Sequence, residues 1–208
     1  LNLVGSFIYR VSEWIMRLAF VNFLWIGFTL LGVVLLGFFP STVAMFAVIR
    51  KWILGQADIP IFKTFWTTYK SEWIRSNGLG GILVGIGFFI YFEFSVINQA
   101  SQPLLQWSKY PLFLLVLLFS LVILYVFPIY VHYDVSLFQV FKNALFIMLI
   151  NPMYTVVMLL ALALMYLLVN ILPPLAIFFG GSASAVVIMW CCYQGILQVE
   201  RKRSPKVG

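Results

Sequence analysis

Apolar and polar positions along this chain fall in long blocks, not in the strict alternation of a half-buried strand, and the blocks predict helices. Over residues 1–20, Phe7, Val11, Trp14, Ile15 and Leu18 share one side, while Ser6, Arg10, Glu13 and Arg17 favour the other. That period predicts an interfacial helix with Trp14 at headgroup level. Residues 22–39 carry no charge and begin a first span, since about 20 apolar residues cross a bilayer. Pro40 interrupts, and residues 41–49 stay apolar until Arg50-Lys51-Trp52. Two readings are open there. One is a single span over 22–49 kinked at Pro40, which membrane helices tolerate. The other is a separate re-entrant piece over 41–49, too short to cross alone at about 1.5 Å per residue.

Residues 50–75 form a basic connection. A turn at Gly55-Gln56-Ala57-Asp58 leads into an amphipathic stretch, with Phe62, Phe65, Trp66, Tyr69 and Trp73 near one face and Lys63 and Lys70 off it. A second span covers 77–97 and a third 110–130. An elbow over 131–146 follows, then spans over 149–169 and 175–199 divided by Pro173-Pro174, then a basic tail over 200–208. The expected architecture is all-α: one integral membrane domain with about five transmembrane helices and amphipathic interfacial helices. Phe39-Pro40 followed by Phe62 and Phe65 parallels Phe127-Pro128 followed by Phe138 and Phe141. This makes a parallel internal repeat a candidate, against chance recurrence in apolar sequence.

Composition closes off the soluble alternative. Of 208 residues, 63% are hydrophobic and 9% charged, and the mean hydropathy is +1.06, whereas an ordinary soluble domain is about a quarter charged. The net charge of +7 sits at the ends of apolar runs, as the positive-inside bias requires. With no soluble basic domain to hold it, nucleic acid is not expected as a partner. Placing the 50–75 connection, Lys142 and the tail on the cytoplasmic side leaves Lys109 alone outside. The C-terminus is then cytoplasmic. Five spans put the N-terminus outside, against Arg10 and Arg17; a re-entrant 41–49 returns it to the inside.

Chemistry is sparse. One histidine allows no histidine-based metal site or triad within the chain, and Cys191-Cys192 are adjacent, so on a helix they point in different directions. No metalloprotease, P-loop or dinucleotide motif occurs, and neither an enzyme nor a cofactor is expected. Gly78, Gly81 and Gly85 recur at helical spacing as a candidate helix-packing face, toward this chain or a partner, including a second copy. Glu93 is the one charge in its span: an intramembrane site or a snorkelling interfacial acid. The elbows supply the candidate polar positions Pro40, Arg50, Lys51, Pro128, His132, Tyr133, Asp134, Lys142 and Asn143. His132-Tyr133-Asp134 reads either as a site at a pore mouth or as a hydrated elbow capping the next helix; Arg50-Lys51 reads first as a headgroup anchor. If a sugar is bound, Trp25, Tyr91, Tyr125, Tyr154, Asn170 and Tyr193 are the aromatic and amide candidates.

Two sets of residues carry a family resemblance. The first is Asn22-Phe23-Leu24-Trp25, then Phe39-Pro40-Ser41-Thr42-Val43-Ala44 with Arg50 following, then Phe62 to Phe65 before Tyr69-Lys70. The second is Phe127-Pro128, Tyr133-Asp134-Val135-Ser136 and Lys142-Asn143-Ala144-Leu145. In their order and spacing these resemble the YesL family, the DUF624 membrane proteins of Gram-positive bacteria. His132 stands where family members often carry arginine. The family contributes no catalytic residues. The resemblance implies a genomic setting beside ABC importers for oligosaccharides and plant-polysaccharide degradation genes. The expectation that follows is a non-catalytic accessory protein in the bacterial cytoplasmic membrane, touching lipid and the membrane subunits of a carbohydrate importer. A stand-alone transporter or channel, and a membrane sensor or scaffold, are the rivals.

Overall fold

The computed structural model describes residues 2–99 and 106–203. Among them there are eight helices and no strand: α1 (Asn2–Leu31), α2 (Leu35–Ile53), α3 (Ile61–Ser71), α4 (Trp73–Gln99), α5 (Lys109–His132), α6 (Leu137–Ile150), α7 (Pro152–Ile171) and α8 (Pro174–Arg203). Six of these, α1, α2, α4, α5, α7 and α8, are long and apolar enough to cross a membrane. The protein is an all-α, multi-pass membrane protein.

The extra candidate span comes from the first fifty residues, where the expected boundaries are corrected. The interfacial helix over 1–20 and the start of the span over 22–49 are one unbroken helix, α1. The chain then breaks at residues 32–34, not at Pro40, which lies buried inside α2. Glycine explains the position of the break. A Cβ on Gly32 would stand 2.3 Å from the Gly37 Cα, so α1 and α2 approach this closely only without side chains at both positions. Between them Val33 and Val34 take positive φ angles of 57° and 58°, a conformation that β-branched residues rarely adopt. Pro40 sits near the start of α2, where its missing N–H removes one helix bond.

α1 and α2 form an antiparallel hairpin. Trp14 meets Trp52 edge-on at 5.5 Å at its open end. Along its length, Trp25 Nε1 donates to Thr42 Oγ1 at 3.0 Å and the Thr29 and Ser41 hydroxyls lie 2.7 Å apart. α2 is the centre of the bundle. Val43, Ala44, Val48 and Ile49 are buried, and α1, α3, α4, α5 and α8 all pack on it. α8 closes the bundle against α1 through Asn22, whose amide donates to the Ile177 carbonyl (2.7 Å) and accepts from the Ser182 N–H (2.9 Å). The sequence α2–α3–α4 and the sequence α5–α6–α7 share the order long helix, short helix, long helix. Their prolines are not equivalent, however: Pro40 lies in the second turn of α2, whereas Pro128 lies near the end of α5.

Candidate functional site

α2 ends, α4 begins and α5 ends at one corner of the bundle, and a polar cleft of about 410 Å³ lies between them. Three elements bring its groups together. α2 contributes Arg50 from its last turn, on the same face as Val43 and Ala47. Glu72 and Arg75 stand at the join of α3 and α4. The end of α5 and the extended elbow that follows supply Tyr130, His132, Tyr133 and Asp134. Arg75 donates to Asp134 Oδ1 at 2.9 Å and to the Val135 carbonyl, and its guanidinium lies 5.3 Å from the Tyr130 ring centre. The Tyr130 hydroxyl donates to Glu72 Oε2 at 2.5 Å. Arg50 Nε donates to His132 Nδ1 at 3.4 Å, which makes Nδ1 the accepting nitrogen of that ring. The His132 ring also meets Tyr193 of α8 at 5.9 Å, and the Tyr133 hydroxyl donates to Glu200 at 3.4 Å. The cleft is thus a junction of four long helices, braced by charge-assisted bonds.

The first half of the cleft lies within residues 18–94, which match the family model described as "Protein of unknown function, DUF624". Full-length relatives decide the matter. The Bacillus subtilis (strain 168) protein YteU is 40% identical over 92% of this chain and 86% of its own length. YesL of the same organism is 34% identical over 96% and 94%, and YesV is 36% identical over 95% of each chain. The chain belongs to the DUF624 family. All three relatives are described as uncharacterized. No solved structure matches the chain.

Within this DUF624 protein, four of the expected polar positions meet in the cleft: Arg50, His132, Tyr133 and Asp134. The others do not line it. Lys51 follows Arg50 outside the cleft, Lys142 is exposed on α6 with Asn143 half-buried beside it, and Pro40 and Pro128 are buried in helices. Glu72, Arg75, Tyr130 and Thr68 line the cleft without having been singled out in the sequence. The one local signal was Glu72 three positions before Arg75, at the start of an apolar run.

The expected glycine face does not pack within this chain. Gly81 and Gly85 have nothing within 4 Å of where a Cβ would stand, and Gly78 meets only Leu137 at 3.7 Å. The glycine that packs within this chain is Gly80, whose Cβ would fall 2.2 Å from the Phe39 ring. The α4 face turned to the bundle runs through Ser76, Leu79, Gly80 and Leu83, on roughly the opposite side of the helix from the stripe of Gly78, Gly81 and Gly85. Glu93 is half-buried in a separate apolar groove between α4 and α5, beside Phe89, Ile97 and Leu112.

The aromatic and amide candidates stay scattered. Trp25 is spent on Thr42, buried Tyr125 on Thr155 at 2.8 Å, and Asn170 on the Tyr166 carbonyl of its own helix. Tyr91 is exposed and Tyr154 half-buried elsewhere; only Tyr193 comes near the cleft. Outside the spans, Tyr69 on α3 donates to the Phe28 carbonyl at 3.1 Å, and burial pushes its phenol pKa up. Among the described residues no three His, Cys, Asp or Glu side chains converge as metal ligands would.

Proposed function

We propose that this DUF624 protein is a non-catalytic accessory subunit of the bacterial cytoplasmic membrane, with its C-terminus cytoplasmic, that associates with the membrane subunits of an oligosaccharide ABC importer. The observation that carries this reading is how the cleft uses its charges. Arg75 is committed to Asp134 and Val135, and Glu72 to Tyr130. A joint whose ionic groups brace one another suits a rigid docking body better than a proton relay or a reaction centre. The basic residues around this end of the bundle support its cytoplasmic placement. The genomic setting of the family, beside oligosaccharide importers, supplies the class of partner. The exposed α4 face carrying Gly78, Gly81 and Gly85 offers a neighbouring transmembrane helix a close approach.

The rival is a stand-alone small-molecule transporter, favoured by the presence of a solvent-open polar cleft. Purification of tagged protein in mild detergent separates the two. The accessory reading expects importer membrane subunits in the eluate and no sugar uptake by proteoliposomes of this chain alone. Elution without importer subunits, together with uptake by the isolated chain, would reverse the assignment.

A further inference from the structure

The cleft holds one cation that the protein's own carboxylates leave unpaired. Arg75 spends its charge on Asp134. Arg50, half-buried in the same wall, donates its Nε–H to His132 instead, and among the described residues no carboxylate lies within salt-bridge distance of it. That leaves the two terminal nitrogens of Arg50 without a carboxylate, while the neutral imidazole anchors the inner edge of the fork. A guanidinium stays charged and presents parallel N–H bonds that fit the paired oxygens of a carboxylate or phosphodiester. Partly withdrawn from water, it gains more from such a partner than a fully solvated arginine does.

The neighbouring groups narrow the ligand further. Arg50 and Arg75 are offset by Glu72 and Asp134 in the cleft lining. The lining is thus neutral overall, so the attraction is local to the Arg50 fork, which suits one negative group; a dianion would meet stronger repulsion from the two carboxylates. Tyr130 occupies Oε2 of Glu72 and Arg75 occupies Oδ1 of Asp134, so each carboxylate keeps a second oxygen to accept a hydroxyl. Thr68 adds a hydroxyl of its own to the lining. The volume of about 410 Å³ falls within the range of small-molecule sites. We propose that this cleft is an oxyanion-binding site in which the Arg50 fork takes a singly charged, hydroxyl-bearing ligand. Two sources share that chemistry: a soluble hydroxycarboxylate, and the phosphodiester headgroup of phosphatidylglycerol. The site belongs to this chain alone and does not rest on the importer reading.

Ligand titrations of the full chain in detergent, read by thermal midpoint and calorimetry, test it with sodium gluconate and glycerophosphoglycerol as probes. A parallel arm compares the midpoint in nanodiscs of phosphatidylcholine with and without phosphatidylglycerol. Stabilisation of the wild type is expected, with about a tenfold or greater loss of affinity in Arg50→Gln. A response to gluconate assigns the ligand to the soluble pool. A response confined to glycerophosphoglycerol and phosphatidylglycerol assigns it to the lipid. Arg50→Lys keeps the charge without the fork and is expected to bind more weakly than wild type, which keeps the test decisive if Arg50→Gln does not fold. Silence of the wild type to every probe overturns the proposal, as does an unchanged response in a folded Arg50 variant.

Discussion

Asn77 on α4 donates its side-chain amide to the carbonyl of Leu36 on α2, at 3.1 Å. That carbonyl belongs to the residue four before Pro40, which has no N–H to offer it. The proline defect in the central helix is thus satisfied from a neighbouring helix, and the same amide also holds the Trp73 carbonyl at 2.8 Å.

Asn77→Ala should therefore lower unfolding stability in mixed micelles by about 1 kcal/mol. Pro40→Ala returns an N–H to α2, so the same Asn77 substitution should cost less in that background. A double-mutant cycle reads the difference; equal costs in both backgrounds would separate Asn77 from the proline.

Gly80 and Gly81 are adjacent and should respond in opposite ways. Gly80→Leu drives a side chain into the Phe39 ring and should destabilise the monomer by about 1–3 kcal/mol. Gly81→Leu and Gly85→Leu enter open space and should leave the monomer's thermal midpoint near wild type. Any loss in those two should show only in partner co-purification.

Much of this architecture was legible in the sequence, because a span has to be an uncharged run and a surface segment has to carry its charges on one face. The helices around 77–97, 110–130, 149–169 and 175–199 stand out on that ground alone. The break between α1 and α2 did not. Pro40 is the louder local signal, yet a proline near a helix start costs only one bond, whereas the break rests on the close approach of Gly32 to Gly37 across the turn, which apolar periodicity does not register. Which α4 glycine packs inside the chain was hidden for a related reason: five glycines occur from Gly78 to Gly87, and only the position of Phe39 selects among them. His132, Tyr133 and Asp134 were visible as one polar cluster, and Arg50 as an anchor. Their meeting with Glu72, Arg75 and Tyr130 joins positions about sixty to eighty residues apart, which no local pattern encodes.

Val33 and Val34 offer a gain of stability. Both hold positive φ and both are exposed, at 79% and 53%, so little packing is lost by shortening them. Val33→Gly should raise the unfolding midpoint, by an amount corresponding to about 1 kcal/mol. A fall would show that the valine side chains stabilise the turn by more than its backbone strain costs.

The Arg75 and Asp134 pair should prove asymmetric. Asp134 is 95% exposed, so Asp134→Asn should cost under about 1 kcal/mol and less still at high salt. Arg75→Gln also loses the Val135 carbonyl and the Tyr130 ring and should cost more, with a larger residue at high salt. Denaturation at two ionic strengths measures both.

Asn22 carries a consequence for the order of synthesis. Its two backbone partners, on Ile177 and Ser182, lie 155 and 160 residues downstream, so a ribosome has delivered α1 to α7 before they exist. Until α8 inserts, the Asn22 carboxamide on α1 stands without them, and a polar group stranded in hydrocarbon carries a cost and therefore a mark. Arrival of α8 removes that mark, so α1 in effect registers whether translation has reached α8.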